Sequence, residues 1–199
     1  MSDPVPRFGD RRGLRIGLLG GSFNPAHAGH LHVARAAMRQ LGLDQVWLLV
    51  SPGNPLKAGM AMGSLEDRLG SARGIADGRR ILATSVEAAW GTRFTADTVR
   101  ELRRRFPRAQ FIWLMGADNL AQLPRWDRWR EIVRAVPVAV LPRPGEKRAA
   151  LAGRAARVLR HLRVRPGRLT GPVGWAWLPV RENPLSATAL RALSSGEPS

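Results

Sequence analysis

Short apolar runs alternate with stretches of helical periodicity along most of this chain, and that alternation limits the fold more than any other feature. Leu14–Leu19, Gln45–Val50, Arg80–Thr84, Gln110–Met115, Val136–Leu141 and Trp175–Leu178 read as buried strands, each brief, apolar and flanked by turn-forming residues. Between them the spacing predicts helices over His30–Leu41, Leu65–Ala76, Ala96–Arg105, Trp126–Arg134 and Lys147–His161. In the first, Leu31, Ala34, Met38 and Leu41 share a face, and Gly42 supplies the stop. Strands separated by helices imply an α/β fold, a doubly wound parallel sheet covered on both faces, with its ligand crevice at the C-terminal edge of the strands. A chain of 199 residues, 44 % apolar and 24 % charged, can bury one core. We therefore expect a single domain over residues 13–196, preceded by an N-terminal extension of residues 1–12. No run reaches the ~18–20 apolar residues of a membrane span, and the polar N-terminus carries no signal-peptide pattern. The absence of Cys excludes disulfides and thiolate metal sites and suits a cytoplasmic setting.

The first strand-to-helix turn, Gly20-Gly21-Ser22-Phe23-Asn24-Pro25-Ala26-His27-Ala28-Gly29-His30, holds the densest chemistry. Paired glycines let a ligand approach the backbone without a Cβ in the way, and the following helix N-terminus offers unpaired N–H groups to an anion. His27 and His30 are three residues apart, so both can face one cavity and offer ring N–H groups to phosphate oxygens. The plainer reading is a pair of hydrogen-bonded loop histidines. A zinc site of His27, His30 and His32 lacks a nearby Asp, Glu or Cys to complete it. Neither G-x-x-x-x-G-K-[ST] nor G-x-G-x-x-G occurs, so the commonest phosphate loops are absent.

Other segments admit both structural and functional readings. Ser186 is a natural N-cap for a last helix, and Ser186, Thr188 and Arg191 would cluster at its N-terminus, suited to phosphate. Lys57 follows the second strand, where a compact cation can follow a moving phosphate. Thr95 reads as an N-cap, with Phe94 and Val99 as a hydrophobic staple. Trp129 reads as core, and Gly116 and Asp118 end the fourth strand at the expected crevice. The formal charge of +17 is compatible with nucleic acid, but only Lys57 and Lys147 are lysines among 32 basic residues, and the arginines are scattered. That bias fits G+C-rich coding and an anionic small molecule, and makes nucleic acid the lesser expectation.

The string GGSFNPAHAGH resembles the G-G-[ST]-F-[DN]-P-x-H-x-G-H signature of the nucleotidyltransferase α/β-phosphodiesterase superfamily. Ser51-Pro52-Gly53-Asn54-Pro55-Leu56-Lys57, Gly116-Ala117-Asp118-Asn119-Leu120 with Leu123-Pro124-Arg125-Trp126, and Ser186-Ala187-Thr188-Ala189-Leu190-Arg191 extend it to the bacterial nicotinate-nucleotide adenylyltransferases. The resemblance implies a Rossmann-like nucleotidyltransferase fold and transfer of the adenylyl group of ATP to nicotinate mononucleotide, in NAD biosynthesis. It implies catalytic roles for His27, His30, Lys57 and Arg191, and ATP contacts from Gly20, Gly21, Ser22, Phe23, Gly116, Asp118, Ser186 and Thr188. Asn24, Thr95, Trp126 and Asp127 would contact the mononucleotide, with Trp126 stacked on its pyridine ring. Mg²⁺ is expected on the ATP phosphates, with no protein metal site, and a homo-oligomer is compatible with the chain. Leu56 stands where relatives often carry His, Asn24 where Asp is common, and Asp127 where Tyr is frequent. Pantetheine phosphate and nicotinamide mononucleotide are the alternative acceptors, and a basic RNA-binding module is the alternative of another kind.

Overall fold

A computed structural model describes residues 12–53 and 62–180 of the protein. In chain order the elements are β1 (Arg15–Gly21), α1 (Ala28–Leu41), β2 (Gln45–Val50), α2 (Leu65–Ile75), β3 (Ile81–Thr84), α3 (Val86–Ala89), α4 (Thr95–Arg105), β4 (Gln110–Gly116) and α5 (Ala117–Gln122). A 3-10 turn (Leu123–Arg125) leads to α6 (Trp129–Ala135), β5 (Val138–Leu141), α7 (Lys147–Ala152) and α8 (Arg154–Val158), and two further 3-10 turns precede β6 (Trp175–Trp177).

All strand pairings are parallel, in the order β3-β2-β1-β4-β5-β6. Because side chains alternate across each strand, the sheet has two apolar faces. On one, Ile16, Leu18, Trp47, Phe111, Trp113 and Val140 pack with Val99 and Leu102 of α4 and Ile132 of α6. On the other, Leu19, Val46, Leu48, Leu114 and Ala139 meet Ala34, Ala37 and Met38 of α1 and Ala72 of α2. The chain runs outward from β1 to β3, then restarts beside β1 at β4. The C-terminal ends of β1 and β4 therefore splay apart at a topological switch point, the place where sheets of this kind bind ligands. Among the described residues no helix is long and apolar enough to cross a membrane.

The predicted strands are all present, Gln45–Val50 with both ends as expected and the others with shifted ends. β1 continues through Gly20 and Gly21, which register with Leu49 and Val50. β5 begins at Val138, not Val136, because Pro137 has no N–H to give a ladder, although its carbonyl accepts from Trp113 N at 2.9 Å. The predicted helix Lys147–His161 is two helices, α7 and α8, broken at Gly153. That residue takes an extended conformation (φ −67, ψ 162) and is C-cap to one helix and N-cap to the next. The predicted helix Trp126–Arg134 begins only at Trp129, because Arg128 adopts a left-handed φ of 47.

Candidate active site

The turn leaving β1 places both signature histidines at one point. His27 is the N-cap of α1, so the helix starts at Ala28 and not at His30 as expected. Its Nδ1 accepts from Gly29 N at 3.1 Å, while His30 Nδ1 accepts from His27 N at 3.2 Å. Two imidazoles thus form the reciprocal capping box usually built from Ser or Thr and Glu. Because each Nδ1 is an acceptor, the proton of each neutral ring sits on Nε2, free of the cap. The ring centroids lie 3.9 Å apart. Burial, and then the charge of Arg143, hold His27 below its ordinary value. Burial, then His27 and Arg143, push His30 down to about 3. Both rings are neutral N–H donors at pH 7, in a helix terminus already suited to anions.

The two glycines before this turn fit protein groups as well as any ligand. A Cβ on Gly20 would come within 3.0 Å of the Trp113 ring, and one on Gly21 within 3.2 Å of the Phe23 ring. Phe23 has a left-handed φ of 50, is 1 % exposed, and its ring stands 4.7 Å from that of His30. The Asn24–Pro25 peptide is cis. Asn24 Oδ1 accepts from Gly63 N at 3.2 Å, so that oxygen braces the loop onto the start of α2.

Across the switch point, Asp118 lies in the first turn of α5, beyond the strand end at Gly116. Its Oδ1 folds back over Gly116, where a Cβ would lie 2.3 Å from it. That oxygen is buried and hydrogen-bonds to nothing among the described residues, with Arg143 Nε at 3.8 Å. Arg143 follows β5 and acts on both histidines, yet nothing in its local sequence distinguishes it from other loop arginines. What could have found it is topology: it lies just past the strand beside β4, on the edge where the crevice opens.

The expected acceptor half is built around α4. Thr95 is the first helical residue, and Phe94, not Thr95, is the N-cap, with no side-chain cap hydrogen bond. The hydroxyl one turn later is turned inward instead: Thr98 Oγ1 donates to Glu87 Oε1 at 2.9 Å and lies 3.1 Å from Thr92 Oγ1. Glu87 is buried, and that burial raises its pKa against the opposing Thr98 hydrogen bond. Trp126 is half-buried after the 3-10 turn, its ring edge-on to Trp113 at 6.3 Å. Trp129 is core, as expected. Arg128 ties these pieces together, reaching Asp97 of α4 at 2.7 Å and Asp127 at 2.6 Å. Asp127 is thus an ion-pair partner as well as Trp126's neighbour. Leu56, Lys57, Ser186, Thr188 and Arg191 lie outside the described residues.

A cleft of about 720 Å³ opens at the opposite, N-terminal edge of the sheet, lined in part by Arg15, Arg100, Arg104, Gln110 and Phe111. Three of the arginines that line it are engaged within the protein, Arg15 with the carbonyls of Leu41 and Leu169, Arg100 with Asp97, and Arg104 with Glu101, while Arg103 lines it as well. It contains none of the sequence-predicted site residues.

Comparison with known proteins places this geometry in context. A cytidylyltransferase-like family model matches residues 18–193. A "Probable nicotinate-nucleotide adenylyltransferase" of Gluconobacter oxydans is 59% identical over 185 residues, covering 89% of this chain and 94% of the relative. One of the same name from Gluconacetobacter diazotrophicus is 53% identical over 194 residues, covering 94% of this chain and 90% of the relative. A Plasmodium falciparum nicotinic acid mononucleotide adenylyltransferase complexed with NaAD shares the fold with a TM-score of 0.69 at 16% identity, over 94% of this chain and 86% of that one. With its signature turn at the switch point of a matching sheet, and most of its length shared with these relatives, the chain belongs to the cytidylyltransferase-like family, in the branch of the nicotinate-nucleotide adenylyltransferases.

Proposed function

We propose that this chain transfers the adenylyl group of ATP to nicotinate mononucleotide, giving nicotinate adenine dinucleotide and pyrophosphate, in the cytoplasm. The observation that carries the reading is the His27–His30 pair, with Nδ1 atoms spent on the helix cap and Nε2–H groups left to donate, at the mouth between β1 and β4. A phosphate oxygen of the mononucleotide attacks the α-phosphorus of ATP in line, and the bond to pyrophosphate breaks on the far side. The attacking oxygen is already anionic at neutral pH, so the site needs no general base. Its work is positioning and charge stabilisation.

In this proposal the two imidazoles and the N-terminus of α1 cradle the α-phosphate, with the backbone of Gly20 through Phe23 alongside. Arg143 adds positive charge beside them, and Asp118 accepts from a ribose hydroxyl near Gly116. Thr95 and the first amides of α4 receive the pyridine carboxylate, Trp126 covers the ring, and Asn24 and Asp127 brace the surrounding loops. Lys57, Arg191, Ser186 and Thr188 complete the assignment from their sequence motifs, along the triphosphate. Among the described residues no three His, Asp or Glu side chains gather into a metal-holding set. Beside Asp118 stands Arg143 rather than a second carboxylate. Such a lining suits a divalent cation, proposed as Mg²⁺, carried in on the phosphates of ATP, where it would draw charge from their oxygens.

Pyrophosphate release from ATP, measured with nicotinate mononucleotide, nicotinamide mononucleotide and pantetheine phosphate each supplied alone, tests the reading. Turnover is expected to be fastest with nicotinate mononucleotide. Faster turnover with another acceptor would replace the substrate, and RNA affinity without any turnover would replace the function.

A further inference from the structure

Helix α2 carries an arginine, Arg68, buried to 3 % exposure. The guanidinium of Arg68 faces carbonyl oxygens from three separate segments. Nη1 donates to Ser22 O at 2.9 Å and to Ser51 O at 2.7 Å, Nε donates to Gly63 O at 3.0 Å, and Nη2 reaches Pro52 O at 3.4 Å. Ser22 follows β1, Ser51 follows β2, and Gly63 precedes α2. Only a planar fork with five donors can meet carbonyls from such directions at once, and a lysine ammonium cannot. One turn on, Ser71 Oγ accepts from Ala26 N at 3.0 Å, so the same helix holds the turn again just ahead of His27.

The Ser22 contact has the largest consequence. In a trans peptide the carbonyl and the following N–H point in opposite directions. Fixing Ser22 O onto Arg68 therefore turns the Phe23 N–H away from α2. It also anchors the peptide plane that enters Phe23, whose left-handed conformation costs a non-glycine residue energy unless its surroundings impose it. That conformation brings the Phe23 ring against His30. A chain of contact runs from Arg68 through the Ser22 carbonyl and the Phe23 ring to the imidazole.

We infer that Arg68 is a positioning residue for adenylyl transfer: by gripping Ser22 it sets the Phe23 amide and ring, and through that ring the placement of His30. The inference rests on the proposed reaction for its kinetic consequence, but its structural link can be read without substrate. Because a misplacement of about an ångström can cost roughly 100-fold, Arg68→Lys, which keeps the charge and loses the fork, should lower kcat by about 10- to 100-fold. The KM values for both substrates should change by less than about threefold, since no binding group is removed.

Imidazole NMR supplies a signature that a merely structural role would not move. His27 and Arg143 are the titratable and charged groups acting on His30, and Arg68→Lys alters neither. In the wild type His30 should stay neutral to about pH 5, whereas in Arg68→Lys its titration should move up toward the ordinary value of about 6.5. Phe23→Leu, which leaves Arg68 and its carbonyls in place, should produce the same upward move through the last link, and reads that link if Arg68→Lys does not fold. Wild-type kcat in Arg68→Lys, or a His30 titration unchanged in either variant, overturns the inference. If the wild type turns over none of the acceptors, the proposed reaction fails, and the NMR comparison alone decides what Arg68 does.

Discussion

The depressed His30 titration has a consequence for stability that does not depend on substrate. His30 is pushed to about 3 in the folded protein, against about 6.5 in an unfolded chain. The folded state therefore binds fewer protons than the unfolded state wherever pH lies between those values. Stability from this group is intact above about pH 6.5 and is lost as pH falls toward about 3, with a limiting slope near 1.4 kcal/mol per unit. Between about pH 7 and about pH 5 the loss comes to about 2 kcal/mol. His30→Gln isolates it. Glutamine is a natural partner at this position of a capping box, so its side-chain oxygen can accept from His27 N in place of Nδ1 while titrating nowhere. Burial and Arg143, the causes acting on His27, are present in both proteins. Urea unfolding of wild type and His30→Gln at the two pH values should show the wild type losing about 2 kcal/mol more than the variant. Parallel losses, within about 0.5 kcal/mol, would mean that His30 is not held neutral by its surroundings and that the packing argument is wrong.

Replacing His27 or His30 by Ala should each lower kcat for pyrophosphate release by roughly 10²–10³-fold, the usual loss for one preorganised transition-state donor. Trp126→Ala should raise KM for the mononucleotide and leave that for ATP nearly unchanged, in steady-state titrations of each substrate. Asp97→Asn removes the tie from α4 to Arg128. Partly exposed pairs of this kind contribute about 1 kcal/mol or less, so the melting temperature should barely move while KM for the mononucleotide rises a few-fold. Binding of ATP should raise both histidine pKa values, because a polyphosphate anion favours imidazolium. Imidazole NMR titrations of the free and the ATP-bound protein should accordingly show both moved upward.

The sheet was legible in the sequence because strand identity is local: an apolar run such as Gln45–Val50 is paired on both sides within the sheet and is bounded by turn residues at both ends. In three places an isolated residue overrides the pattern. Gly153 interrupts an otherwise helical periodicity, Pro137 lacks the donor to start a ladder, and Arg128 turns left-handed ahead of α6. Thr95 looked like a cap because Thr usually is one, but the hydroxyl that matters is Thr98's, and its partner Glu87 sits eleven residues away in sequence. His27 was missed as a cap for the converse reason, since the usual caps are Ser, Thr, Asp and Asn. In the site, the histidine pair was readable because its members are three residues apart on one turn. Arg143 and Arg68 were not readable. In a chain with 32 Lys and Arg, composition gives no reason to single out either, and their partners are carbonyls and rings brought near only by the order of the strands. A short motif can specify the groups that meet a ligand because they share a turn. The groups that hold such a turn in shape come from other elements, so here the support beneath a family signature emerges only once β1, β2 and α2 are assembled.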